Sequence, residues 1–336
     1  MHKFFILKSK SFYIIALVLL IVVLFCLNIA IGYQKFSISE VLGFYHANSP
    51  AHDIVMNIRL PRIITAMLVG MSLPVAGMML QTMFNNPIAD SSVLGVSSMA
   101  GLGNALLIFL GDFFVAEGIV TNSWLAILFG SIGAVVGLLA ISGISYKLAN
   151  NASVLVVGLI FSSLAGALIG MFQYFSSSEK IKDFLLWSMG SLDSLSWEKI
   201  LAFATTVLIC LLVSILTLKQ LNILLLGEKY AETMGVKVSN FRRMIILITG
   251  VLTATVTVFV GPIAFLGFFI PHIARSIFRT TNHNWLFPAN ILIGISFLLI
   301  INLLQIVLPI VPINVLMSII GAPMVIGVII KQSKFM

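Results

Sequence analysis

Charged residues are scarce in this sequence. They fill 9% of 336 positions, with eleven acids among them, where a soluble globular domain carries about a quarter. No hydrophilic stretch is long enough to fold as a separate aqueous domain, so residues 1–336 are expected to form one unit. Cysteine is almost absent, and Cys26 and Cys210 both fall in apolar runs, which predicts buried thiols and excludes a disulfide or metal framework. The chain carries no G-x-x-x-x-G-K-[ST] phosphate loop, no H-E-x-x-H and no G-x-S-x-G, and its five histidines are dispersed. It is therefore expected to hold no metal or cofactor and to be no enzyme. The net charge of +8 comes from single basic residues between apolar runs, not from a stripe, which excludes nucleic acid as a partner. None of the acids lies deep in an apolar run, which counts against an ion-coupled secondary transporter holding its ion on a carboxylate.

What is present is apolar: 60% hydrophobic residues and a mean hydropathy of +1.14. That points to an all-α polytopic membrane protein. A crossing helix needs about 20 apolar residues, and ten runs fit: about 12–32, 60–82, 92–110, 123–144, 153–174, 197–217, 243–260, 262–278, 287–307 and 313–330. The first follows three lysines without a small-residue cleavage site, so it is read as a span and not as a removed signal. The seventh and eighth runs are parted only by "VGP" and the last two by "LPIVPIN", which predicts two tight hairpins broken by proline and glycine. No internal repeat is evident.

Ten spans put both termini on one side. If that side is cytoplasmic, the inner segments hold thirteen basic and three acidic residues and the outer ones six basic and eight acidic. The positive-inside rule then places the N- and C-termini in the cytoplasm.

Five stretches carry more than hydropathy. In "IRLPR", Pro61 suits the first turn of a helix, and Arg59 and Arg62, three apart, share a side. They are either snorkelling interfacial anchors or a cationic pair at the outer mouth, suited to a partner's carboxylates. In "QTMFNNPIADSSVLGVSSMAGLG", Asn86-Pro87 starts a turn, Ser91 or Ser92 can cap the next helix, and the glycines and serines form a small-residue packing face. In "VFVGPIAFLGFFIPHIARSIF", Pro262 is expected at a helix start and Pro271 to kink its helix. His272 and Arg275 then fall in the inner third of the span, where His272 is a structural histidine or a proton relay. The fourth, "GEKYAETMGVKVSNFRR", residues 227–243, has six charges in seventeen positions. Glu228 and Glu232 favour its helical N-terminal half, Gly235 offers a left-handed C-cap, and Ser239 or Asn240 can cap the span that follows. A helix of about two turns needs something to pack on, so this is a solvated loop or a docking element. The fifth, "FLLIINLLQIVLPIVPIN", is a ninth span without charge.

Taken in order, "RLPR", "NNPIAD…LGVSS", "GEKYAETMGV", "GPIAF…PHIAR", "W…GSL" at Trp187 to Leu192 and "GAP" at Gly321 to Pro323 closely resemble the FecCD family of binding-protein-dependent ABC importer permeases for iron–siderophores, heme and cobalamin. The resemblance covers nearly the whole chain. It implies a type II ABC importer permease in a bacterial cell membrane, paired with a second permease, two ATPase subunits and an extracytoplasmic substrate-binding protein. A ferric siderophore or related ferric chelate would be the substrate, with heme or cobalamin as the alternative. By resemblance, Arg59 and Arg62 receive carboxylates of the binding protein, and Asn86 and Ile88 stand near the cytoplasmic gate. Glu228, Ala231, Glu232 and Gly235, within a cytoplasmic segment of about 218–243, form the coupling helix that the ATPase drives during alternating access. One departure stands out: family members carry an Asp and an Arg in the ninth span, where this chain has Leu and Gln, and Asn314 replaces a glycine. This favours a heterodimer in which an unlike second permease supplies part of the docking.

Overall fold

In the computed structural model of the chain, residues 2–32, 50–114, 123–145, 151–193, 195–309 and 311–333 are described. They form α1 (His2–Ala30), α2 (Pro50–Ile54), a π-helical turn (Val55–Arg59), α3 (Leu60–Met83), α4 (Val96–Phe114), α5 (Ser123–Ser145), α6 (Asn151–Tyr174), α7 (Ser178–Ser188), α8 (Trp197–Leu224), α9 (Glu228–Thr233), α10 (Val238–Val260), α11 (Leu266–Phe278), α12 (His283–Val307) and α13 (Ile313–Ser333). No strand occurs among the described residues. Seven of the expected spans appear as helices long and apolar enough to cross a membrane, and the other three as shorter apolar helices within α4, α11 and α13.

The α3 helix is the axis of the bundle and packs against α12, α10, α11 and α8. Its apolar window is 83% buried, against 11% for α1 and 17% for α6. Small residues explain how neighbours come so close. A Cβ on Gly70 would lie 2.6 Å from the Gly294 carbonyl oxygen of α12, and one on Gly77 would collide with the backbone of Gly267 in α11. Pro74 has no N–H to offer the Gly70 carbonyl, and Gly294 lets the α12 backbone close over that carbonyl. Without water to hydrogen-bond, the polar side chains turn inward on their own helices. Thr65, Ser72, Thr82, Thr249 and Ser296 each donate to the carbonyl four residues earlier.

Several expectations are corrected. Helix α8 continues to Leu224, and α10 begins at Val238, so Ser239 and Asn240 lie inside its first turn, where Lys237 is the N-cap residue and no side chain caps. Pro262 is not at a helix start: Gly261 to Ala264 is non-helical, Gly261 has φ +89°, and α11 opens at Leu266 after the left-handed Phe265. Pro271 does fall inside α11. Cys26 is exposed on α1 and Cys210 is half-buried, because an apolar run buried in lipid need not be buried in protein. The amphipathic α7 was not foreseen.

Candidate functional site

Two ends of the bundle gather polar groups, and the re-entering segment after α3 carries a third set. At the end where α1 stops and α3 starts, Arg59 and Arg62 are 6% and 5% exposed. Arg59 donates to the carbonyls of Ile29 and Ala30, so its charge sits on the negative C-terminal pole of α1. Its guanidinium lies against Gly32, where a Cβ would come within 2.6 Å. Arg62 donates from Nε to Asn302 Oδ1 and from Nη2 to Gln305 Oε1, 3.3 Å, and its Nη1 pairs with Asp193 at 2.8 Å. Asn302 in turn donates to Asn28 Oδ1 (2.7 Å), and Asn28 to the Leu24 carbonyl. The arginines therefore share one cluster, as their spacing predicts, and with Asn28 and Asn302 they line a cavity of about 240 Å³. Within the chain these guanidiniums are held by the end of α1, by α12 and by the Asp193 turn.

At the opposite end stands α9. Gly227, φ +102°, lets the chain turn into it and Gly235, φ +84°, turns the chain out. The Gly235 N–H donates to the Glu232 carbonyl and the Val236 N–H to the Ala231 carbonyl, 2.9 and 3.0 Å. This is the paired-bond left-handed cap that the sequence predicts at Gly235. Ala231 is fully buried against the bundle, while Tyr230 and Met234 are 51% and 54% exposed. Glu228 pairs with Arg242 of α10. So short a helix holds because one small residue docks, two glycines set its ends and one ion pair ties it to a long helix. Glu232 lines a cavity of about 360 Å³ with Arg242 and Arg243.

Between α3 and α4, Asn86 is buried and its Oδ1 accepts the Ile88 N–H at 3.0 Å, closing an Asx turn. Ile88 is half-buried beside it. The residue that sequence reasoning missed here is Asp90, 1% exposed. Its Oδ2 accepts from the Ser92 hydroxyl and N–H, and Ser92 Oγ accepts the Phe265 N–H at 3.3 Å. Its Oδ1 has no hydrogen-bond partner and abuts Gly267, in the first turn of α11. Burial pushes the Asp90 carboxyl above the usual carboxylate range, and hydrogen bonds from Ser92 and Ser91 act against that shift. A lone acid next to two serines was the available signal. The bond from the Phe265 N–H to Ser92, across 173 residues, was not visible. Ser92, expected as a cap for α4, instead joins this segment to the α10–α11 break.

His272 stacks tilted on Phe268 and its Nδ1 contacts the Phe268 carbonyl. Arg275 donates to Gln81 Oε1 of α3. These contacts give both residues structural partners at the α9 end of α11. Gln81, Asn28, Asp193, Asn302 and Gln305 were not singled out as site residues. Polar residues inside apolar runs are the signal that could have found them.

Comparison with known proteins agrees along nearly the full length. The FecCD transport family profile matches residues 19–331. The chain is 32% identical over 328 residues to the molybdate import system permease protein of Haemophilus influenzae, covering 95% of each. It is 33% identical over 295 residues to the hemin transport system permease protein of Yersinia pestis, covering 85% of this chain and 86% of that one. The vitamin B12 import system permease protein of Photorhabdus laumondii is 34% identical over 289 residues, with 82% of each covered. Among solved structures, an ABC transporter assigned to the metal-chelate type, in an inward-facing conformation, superposes with a TM-score of 0.80 at 30% identity, covering 96% of this chain and 99% of that one.

Proposed function

The chain belongs to the FecCD transport family, and on that premise we propose that this ABC importer permease takes up a ferric chelate of the siderophore class. It is a transport subunit, without ATPase chemistry of its own, and works with ATPase subunits, a second permease and a binding protein. In our reading α9 faces the cytoplasm with both termini, and Arg59 and Arg62 face outward. The ATPase grips α9 through Tyr230, Glu232 and Met234, and its nucleotide-driven closure reaches α10 through the Glu228–Arg242 pair and the buried Ala231. Asn86 and Ile88 stand at the inner gate, on a segment that Asp90 and Ser92 link to the start of α11.

The observation that carries this reading is the cap of α9. A six-residue helix cannot persist alone in water, yet this one is fixed at both ends by left-handed glycines and presents its far side bare. A rigid, exposed, anchored element suits a lever that a partner grips. The ferric-chelate assignment is supported by the metal-chelate type of the solved relative. The hemin and vitamin B12 permeases among its relatives favour heme or cobalamin as the second reading. Asn302 and Gln305 serve Arg62 inside this chain, in the span where the family's docking charges are missing, which supports an unlike second permease.

The test is Gly235→Pro. Proline holds φ near −65° and has no N–H, so it removes both the +84° turn and the bond to Glu232. ATPase co-purification should be lost while membrane insertion is unchanged. Continued co-purification would remove α9 from the docking role.

A further inference from the structure

The Arg62 guanidinium is already holding a carboxylate. Its Nε and Nη2 are spent on Asn302 and Gln305, two amides of the same α12 face, and Nη1 is held by Asp193 at 2.8 Å. The two ends of this ion pair differ sharply in exposure: the Arg62 side chain is 6% exposed and the Asp193 side chain 46%. The amides fix the guanidinium in place, while the carboxylate stands at the water boundary, where an ion pair is screened and weakly held.

Asp193 also belongs to a tightly tied turn, Met189–Asp193. Ser191 Oγ accepts the Asp193 N–H (2.9 Å), and the Ser191 N–H donates to the Val260 carbonyl at the end of α10, also 2.9 Å. The Asn314 N–H, at the start of α13, donates to the Met189 carbonyl at 3.4 Å. Just before the turn, Trp187 Nε1 donates to the Val258 carbonyl, 2.9 Å. A Cβ on Gly261 would fall 2.9 Å from Gly190 Cα. The turn is therefore joined to α10 and α13 through backbone and packing, and to α3 through the Asp193 side chain. Only the last of these joints is a half-exposed ion pair.

We infer that Asp193 is a built-in stand-in for the binding protein's carboxylate, and that docking proceeds by exchange of one carboxylate for the other on Arg62. This rests on the docking reading of Arg62 given above. An incoming acid takes Nη1 as Asp193 leaves. The Met189–Asp193 turn then keeps its hold on α10 and α13 but loses α3. Docking thereby releases the Met189–Asp193 turn, with its ties to α10 and α13, from the central helix at this end of the bundle.

Exchange has a measurable consequence, because it replaces one ion pair by another. Binding of the cognate extracytoplasmic binding protein, captured with the assembled importer, is measured in nanodiscs at several salt concentrations. Asp193→Asn frees Arg62 for the incoming acid. Affinity should rise about tenfold at low salt and should fall more steeply with salt than in wild type, since docking now creates a net ion pair. Asp193→Glu should restore the wild-type affinity and salt slope, which a merely structural role for the turn would not require. Arg62→Gln should weaken binding in either background. If Asp193→Asn leaves affinity and slope unchanged, or weakens binding, while Arg62→Gln still weakens it, exchange is wrong and docking on Arg62 stands. If Arg62→Gln leaves binding unchanged while melting as wild type does, the docking reading itself fails and the exchange fails with it. Should Asp193→Asn not fold, a wild-type salt slope as steep as that of an unpaired arginine overturns the proposal.

Discussion

Adding one methyl group at Gly70 should push apart two closely packed helices of the bundle, α3 and α12. An alanine Cβ there would sit 2.6 Å from the Gly294 carbonyl oxygen and 2.8 Å from Ile295 Cα, where ordinary contact is 3.4–4 Å. Both obstacles are backbone, so no side-chain rotation relieves them, and α3 and α12 must part by about 1 Å. Overpacking of this kind costs about 1–3 kcal/mol, and the rigid neighbours place Gly70→Ala at the upper end. Alanine recovers about 0.5–1 kcal/mol of helix propensity, leaving a net loss of about 2 kcal/mol. The same exchange at Gly143 of α5 meets nothing within 4 Å and should be neutral or stabilising by up to about 1 kcal/mol. Thermal unfolding of the two variants in detergent reads the difference. At about 2–4 °C per kcal/mol, Gly70→Ala should melt several degrees below wild type and Gly143→Ala at or slightly above it. If Gly70→Ala melts with Gly143→Ala, glycine-mediated approach does not set the α3–α12 spacing.

Three further outcomes follow from named contacts. Glu228→Gln breaks a half-exposed ion pair with Arg242, so melting should change by no more than about 1 kcal/mol while ATP-driven uptake by the assembled importer drops; unchanged uptake would show that the pair transmits nothing. Asn302→Leu takes an acceptor from the buried Arg62 and a donor from Asn28, and should cost about 2–3 kcal/mol in unfolding experiments; a loss below about 0.5 kcal/mol would mean the network is not worth its hydrogen bonds. For Asp90, a carboxyl raised by burial adds stability that is complete below the unfolded value of 3.8 and is lost as pH rises through the folded value. Wild type should therefore lose melting temperature relative to Asp90→Asn as pH rises from 3.8 through the raised folded value, and parallel pH profiles would contradict it.

The legible part of this molecule is the part set by local chemistry. The long spans followed from hydropathy because each apolar run must be a helix in lipid, and the Gly235 cap followed because only a left-handed residue can end α9 that way. The start of α10 was set too late, at 243 instead of Val238, because charged residues were read as loop although helices readily continue into water. Arg59 and Arg62 were placed together correctly, but their direction depends on Ile29, Ala30 and Asn302, which are 29 to 240 residues away. Asp90 illustrates the same limit. Its burial depends on Gly267 and, through Ser92, on Phe265, and no periodicity in residues 81–103 encodes that contact. The break after α10 was expected at Pro262 as a helix start. The structure instead uses Gly261 for a turn and four non-helical residues to bring α11 alongside α3, an arrangement set by packing against Gly77.

The claim that α9 receives the ATPase is tested most directly at Tyr230, 51% exposed on the outer face of that helix. With a photocrosslinking amino acid in place of Tyr230, irradiation of the assembled complex in native membranes should give a permease–ATPase adduct, and the same group at Leu201, 68% exposed on α8 near the Arg62 end, should give none. An adduct from position 201 and none from position 230 would place the ATPase at the other end of the bundle and contradict the account.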